Sequence, residues 1–353
     1  MDYHKELEKL VAIVVSESAS DLHLAEGRNP IIRTGGILVP LLKHAALTRE
    51  DMEGLAAVML SEENRARLRE TRETDFSFGV RGEVRFRGNG YIQRGMMSFA
   101  LRSIPHKIPS FEELRLPSIL ETFTNRRQGF FLVVGPVGQG KSTTLAAMIE
   151  NINSTRAEHI ITIEDPIEYI YEQKKAIIDQ REVRVDTGDF RTALQSTFRQ
   201  DVNVILVGEM RDLETIATAV TAAETGHLVF STLHTNNASQ TVDRIIDSFP
   251  AGQQEQIRVQ LAGSLIGIFS QRLLPRISGG LVPAYELLVH TAATANLIRE
   301  GRTHELPSVL ETGSEHGMVA LNRSLADLVG AGEITVEDAY MHSYSPEALE
   351  KML

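Results

Sequence analysis

Residues 130–153 read FFLVV, then GPVGQGKSTT, then LAAMIENIN: an apolar run, a glycine-rich turn opening at Gly135, and a stretch of helical character. Strand, turn and helix in that order form the arrangement by which a chain cradles a phosphate. Residues 135–142 match G-x-x-x-x-G-K-[ST] at every specified position. Gly135, Gly138 and Gly140 let the backbone aim N–H groups at phosphate oxygens, with Pro136, Val137 and Gln139 between them. The helix beginning near Lys141 adds the positive end of its dipole. Lys141 is expected to reach the β and γ phosphates and Ser142 to hold Mg²⁺ through its hydroxyl, with Thr143 completing the binding set.

A bound triphosphate needs an acid at the end of another buried strand. VILVGEMRD (204–212) supplies Glu209, which would orient the attacking water and sit near Mg²⁺, directly or through water. The plainer reading is an ordinary strand-end acid. TIEDPIE (162–168) supplies Glu164, Asp165 and Glu168. Three carboxylates there repel one another unless cations or donors lie among them; a solvated acidic turn is the alternative. TGHLVFSTLHT (225–235) sets His227 and His234 on either side of a strand. Their spacing on an extended segment does not make a metal pair, and a histidine in such a place more often serves structure than chemistry.

At 353 residues, two domains are expected. Hydrophobic residues make up 42% and charged residues 24%, the balance of a soluble globular protein. No apolar stretch approaches the roughly 18 residues of a membrane helix, and LVAIVV (10–15), flanked by acids, is not a secretory signal. The absence of cysteine excludes disulfides, thiolate metal sites and cysteine nucleophiles, and fits a reducing cytosol. A net charge of −11 makes nucleic acid a poor partner.

Leu7, Leu10, Val11, Val14 and Val15 share one helical face. DLHLA (21–25) alternates like a strand. Thr48 with Asp51, and Ser61, mark helix starts. DFSFGV (75–80) and VRFRGNGYIQRG (84–95) read as antiparallel hairpins. Residues 1–103 thus form a small α+β domain, and 104–110, within the proline-bearing SIPHKIPS, a linker. From Phe111 to 353 the pattern is α/β: FFLVV, HIITIED, NVILVGE and HLVFSTLH alternate with helical stretches, as in a mostly parallel sheet covered on both faces. The last part is helical, with Gly301 closing ATANLIREG.

The four motifs GPVGQGKS, TIEDPIEYI, VILVGEMRD and TGHLVFSTLHT, in this order, resemble the Walker A, aspartate box, Walker B and histidine box of the secretion-superfamily hexameric ATPases. SASDLHL, ETDFSF, RFR, KSTTLAAMI, DQREV, TAAETGHLVFSTLHT and NLIREG are similar to the branch that retracts type IV pili, over nearly the whole chain. The resemblance implies a PAS-like N-terminal domain joined to a RecA-like P-loop ATPase domain, six chains in a ring, and ATP with Mg²⁺ between the domains and near a neighbouring subunit. It implies Glu209 as catalytic base or water-orienting residue, Glu164 and Glu168 as support for Mg²⁺ and water geometry, and His227 and His234 as site residues. Arg81, Arg85, Arg87, Arg94 and Arg102 cluster in the small domain, and Arg85 and Arg102 are expected to reach the phosphates. The implied partners are five further copies, an inner-membrane platform protein at whose cytoplasmic face the ring docks, and, for an accessory chain, a second motor ATPase.

The chain departs from the family pattern at three places. Val137 and Gln139 stand where the phosphate loop usually has threonine and serine. Asp201-Val202-Asn203 replaces Asp-Pro-Asp. Ala295 replaces an arginine before NLIREG, a motif tied to retraction rather than hydrolysis. Besides a working retraction motor, the residues leave open an accessory retraction paralogue, a slowly hydrolysing regulatory subunit, and a pilus-assembly or type II secretion ATPase. Assembly and secretion motors usually carry a longer N-terminal region and often a tetracysteine zinc site.

Overall fold

A computed structural model describes residues 2–80, 84–104, 107–210 and 212–353. Arg81, Arg211 and part of the 104–110 segment lie outside the described residues. The chain divides into two compact units: one holds the residues up to Lys107 together with Pro166–Ile170, the other Ile108–Asp165 and Tyr171–Leu353.

The first unit begins with α1 (Tyr3–Ser16), whose Leu7, Leu10, Val11 and Val14 are buried. Three short strands follow: β1 (Asp21–Ala25), β2 (Ile31–Thr34) and β3 (Ile37–Pro40). Helix α2 (Arg49–Met59) starts in a full capping box, with Thr48 and Asp51 each accepting the other's backbone N–H. Ser61 caps α3 (Glu62–Thr71). The long hairpins β4 (Glu73–Val80), β5 (Val84–Gln93) and β6 (Met96–Ile104) complete an antiparallel sheet of order β3-β2-β1-β6-β5-β4. Its buried face, including Leu22, Leu24, Phe76, Phe86, Phe99 and Leu101, packs with the apolar faces of α1 and α2 into one core. Residues 166–170 were expected with the α/β domain. They cluster instead with this unit, where Glu168 pairs with Arg87 at 3.8 Å.

The second unit runs α4 (Leu120–Thr124), β7 (Gly129–Val134), α5 (Lys141–Thr155), β8 (His159–Glu164), β9 (Ile177–Glu182), α6 (Phe190–Thr197), β10 (Val204–Val207), α7 (Leu213–Glu224), β11 (Leu228–Leu233), α8 (Ala238–Asp247), α9 (Ala251–Ser264), β12 (Leu265–Pro275) and β13 (Leu281–Val289). Five helices follow: α10 (Ala292–Glu300), α11 (Leu306–Thr312), α12 (Leu321–Gly330), α13 (Val336–His342) and α14 (Pro346–Glu350). The sheet order is β13-β12-β7-β11-β10-β8-β9, parallel throughout except for β13, which runs antiparallel to β12. This is the α/β architecture expected of a RecA-like domain. Strands β7, β10 and β11 are buried at every residue, which explains why they read as continuous apolar runs. Where β12 meets β7, one extra residue, Ile266, bulges between Leu265 and Gly267 and shifts the register. Gly301 closes α10 in the left-handed conformation at φ 72°. Ala295 is buried within the main core of this unit.

Candidate functional site

In a parallel sheet, ligands gather where the strands end. Strand β7 ends at Val134, β11 runs into His234, β10 into Glu209, and β8 ends at Glu164 followed by Asp165, so these residues share the carboxyl edge of one sheet.

The loop between β7 and α5 is shaped by its glycines. Gly138 and Gly140 sit at φ 79° and 77°, and Gly135 at φ 148°. A Cβ on Gly135 would lie 2.5 Å from the Gln271 carbonyl oxygen, so backbone passes where a side chain would stand. Helices α6, α7 and α8 have their first N–H groups capped by Asp189, Asp212 and Asn237. Helix α5 is preceded by Gly140 and has no side-chain cap. Its opening N–H groups and dipole are therefore offered to an anion. Pro136, Gln139 and Thr143 are half-buried, while Val137 and Ser142 are exposed.

Lys141 is 8% exposed, and its Nζ donates to the carbonyls of Gly135 and Pro136, both at 2.8 Å. His234 Nδ1 lies 3.2 Å from the same nitrogen. An ammonium has only donors, so Nδ1 accepts, and the imidazole proton belongs on Nε2. His234 itself is exposed, held by its loop rather than by burial.

The acids sit further along the edge. Glu164 is buried and accepts from Thr162 Oγ1 at 2.6 Å. Across the β8–β9 pair it is in register with Glu182, also buried, a second carboxylate that sequence reasoning passed over. Glu209 is half-buried and lines a cleft of ≈350 Å³ with Asp165, Arg184, Arg191 and Asp212. Arg184, in the left-handed region at φ 68°, reaches Asp165 at 3.5 Å. Asp212 is committed to the start of α7 through Thr215. The cleft lining thus sets Arg184 and Arg191 among the carboxylates of Asp165, Asp189, Glu209 and Asp212.

Other expected residues lie elsewhere. His227 precedes β11, at the opposite edge of the sheet, about 23 Å from His234 at the usual strand rise of about 3.3 Å per residue. Its Nδ1 pairs with the Ala222 carbonyl at 3.0 Å and its ring meets Phe198 edge-on, so within this chain the structure does not bring it to the phosphate loop. Glu168 belongs to the first unit. So do Arg85, which donates to Ser77 at 2.7 Å, and Arg102, which donates to Asp21 at 3.1 Å. Arg102 stands opposite Arg87 across β5–β6, and Arg85 is two residues from Arg87, so all three share one sheet face. Arg94 sits at the β5–β6 turn, away from them.

Strand β12 was not legible as part of the site, yet it braces both loops. Gln271 Oε1 accepts from Thr144 at 2.6 Å, and Gln139 Oε1 accepts the Leu273 N–H at 2.7 Å. One residue out of phase with Gln271, Ser270 donates to the Asn236 carbonyl at 2.6 Å and Arg272 to Asn236 Oδ1 at 3.1 Å.

Among the described residues, no group of three or more histidines or carboxylates is arranged to hold a metal alone. The donors present, the Ser142 hydroxyl and the Glu209 carboxylate, suit a hard cation held mainly by phosphate and water oxygens, the usual habit of Mg²⁺. No helix is long and apolar enough to cross a membrane among the described residues.

A family model described as Type II/IV secretion system protein matches residues 4–280. The chain is 44% identical to the type IV pilus retraction ATPase PilT of Pseudomonas aeruginosa, over 97% of this chain and 99% of that protein. It is 41% identical to the type IV pilus ATPase PilU of the same organism, over 99% of this chain and 91% of that protein. A crystal structure of the pilus retraction motor PilT with bound ADP matches with a TM-score of 0.91 and 49% identity, over 97% of this chain and 98% of that one. With this loop, these strand ends and this full-length likeness, the chain belongs to the Type II/IV secretion system protein family.

Proposed function

We propose that this chain is a motor ATPase that retracts type IV pili. The observation that carries this is the Lys141 ammonium, seated on its own phosphate loop and touched by His234, in a chain similar from end to end to a retraction ATPase. ATP binds through the backbone N–H groups of residues 137–143. Lys141 exchanges two carbonyl partners for phosphate oxygens, and that exchange changes its contact with His234. Glu209 orients the attacking water, while Ser142 and Glu209 complete the shell of a phosphate-bound Mg²⁺ and Glu164 keeps the water geometry. Glu168 and His227 are carried as supporting residues. Arg85 and Arg102 are carried as the cations a neighbouring subunit delivers to the transferring phosphate.

The chain works as a homohexamer at the cytoplasmic face of the inner membrane. ATP binding and release shift each subunit between two conformations, and the ring displaces a platform protein. Ala295, buried where the family has an arginine, and the 41% identity to PilU favour a second reading, an accessory motor acting beside another ATPase.

Glu209→Gln should keep ATP binding and lower turnover by about 10²-fold or more, the range for loss of one transition-state contact. Unchanged turnover would remove Glu209 from the mechanism. Cells lacking the gene should carry many pili and not twitch. Bald cells would reverse the direction of the motor, and normal pili with weakened movement would select the accessory reading.

A further inference from the structure

Residues 236–238 are gripped from four sides. The Asn236 carbonyl accepts from Ser270 Oγ at 2.6 Å and from the Tyr344 hydroxyl. Arg272 Nη2 donates to Asn236 Oδ1 at 3.1 Å and to the Tyr344 hydroxyl at 2.8 Å. Glu286 Oε1 accepts the Ala238 N–H, the first of α8, at 2.8 Å. Ser270 pairs with Glu286 across β12–β13, and Arg272 is two residues along, so the three side chains rise from one sheet face.

This grip is more than a helix start requires. Asn237 already caps α8 by accepting the Gln240 N–H at 2.8 Å. Yet the fold buries an acid and a cation here, Glu286 at 7% and Arg272 at 8% exposure, and such burial carries a desolvation cost. Arg272 Nη1 is buried and finds no hydrogen-bond partner among the described residues. Its charge is balanced by the Asn236 oxygens, the Tyr344 ring 5.9 Å away, and the field of Glu286. Nothing local to α8 needs so costly an anchor. What lies two residues upstream is His234, exposed, with its Nδ1 on the Lys141 ammonium. An exposed imidazole is not fixed by packing around its ring, so where its backbone is set decides how well its Nδ1 meets Lys141.

We propose that Glu286 and Arg272 are positioning residues for hydrolysis: by fixing residues 236–238 they keep the His234 imidazole against Lys141. The inference rests on the nucleotide site proposed above. It gives β13, which carries none of the four nucleotide-site motifs, a role in turnover.

The test is steady-state ATP hydrolysis by the full chain carrying Glu286→Ala, Glu286→Gln, His234→Ala and the Glu286→Ala/His234→Ala pair. Misplacing a catalytic group by about 1 Å can cost about 10²-fold, so Glu286→Ala should lower kcat on that order while KM for ATP moves less than about threefold. Glu286→Gln retains an acceptor for the Ala238 N–H and should recover most of the loss. In the His234→Ala background, Glu286→Ala should cost almost nothing further, because the residue acts through the histidine. Additive losses, or a raised KM with kcat intact, overturn the proposal. Full activity in His234→Ala alone overturns the nucleotide-site reading of that histidine, whatever Glu286 does. Should Glu286→Ala not fold, Ser270→Ala removes one grip on the same loop and is read by the same cycle.

Discussion

At the scale of single residues, the site is organised by where charge is buried. Lys141 is buried because its own loop supplies two carbonyls, a partner set that a phosphate can replace. Glu286 shows the opposite case. Burial pushes its carboxyl up from 4.5 to about 7, against the Ala238 N–H and Arg272, which both favour the charged form. The folded pKa is above the unfolded one, so the native state binds more protons than the unfolded state between those values. This group's contribution to stability is therefore fully present below about 4.5 and is lost as pH rises toward 7. Arg272 and Tyr344 act on it electrostatically, and burial pushes the Tyr344 hydroxyl still further above its ordinary value, well outside this window. The melting temperature of the wild type relative to Glu286→Gln should accordingly fall between pH 4.5 and 7. A difference that stays level across that window would show the carboxyl to be as well solvated as a surface acid.

At the scale of elements, the strands that carry the recognisable motifs are buried at every residue in β7, β10 and β11, and at every residue but His159 in β8. Their apolar runs, and the contiguous loop between β7 and α5, could be read directly. The helix starts at Thr48 with Asp51 and at Ser61 likewise leave a local trace. Strand β12 leaves none. Its centre, Ser270-Gln271-Arg272, is polar because it bonds to Thr144 and Asn236, 127 and 36 residues away, and no window along the chain contains those partners. His227 is close to His234 in sequence, but the strand between them sets the two at opposite ends of β11. The dependence of the phosphate loop on β12 can be tested at Gly135. An alanine there would meet the Gln271 carbonyl at 2.5 Å and strain a backbone at φ 148°. Gly135→Ala should weaken nucleotide binding at least tenfold and lower stability by about 1–3 kcal/mol, the usual range for strain in a sparsely populated backbone region. Binding at wild-type strength would mean that β7 and β12 can separate without cost.

At the scale of the whole molecule, each unit has its own core: one built on the antiparallel sheet with α1 and α2, the other on the parallel sheet. The phosphate loop, His234 and Glu209 all belong to the second unit, so nucleotide contacts to them act on that unit's stability first. Mg-ADP at 100 times its dissociation constant should stabilise the native chain by about 2.7 kcal/mol, seen as a higher melting temperature. Lys141→Ala should abolish the shift. A shift that survives in Lys141→Ala would locate binding somewhere other than residues 135–143.

The extra residue at Ile266 has a consequence for how this chain can change. Beyond the bulge, the Gln271 side chain serves the first turn of α5 and those of Ser270 and Arg272 serve the loop after His234, on the alternate positions of the strand. Deleting that one residue would slide the remainder by one and exchange the two audiences of the strand. Length here is thus counted in twos. A family can trade residue types along β12 freely compared with its freedom to gain or lose a single position ahead of Ser270.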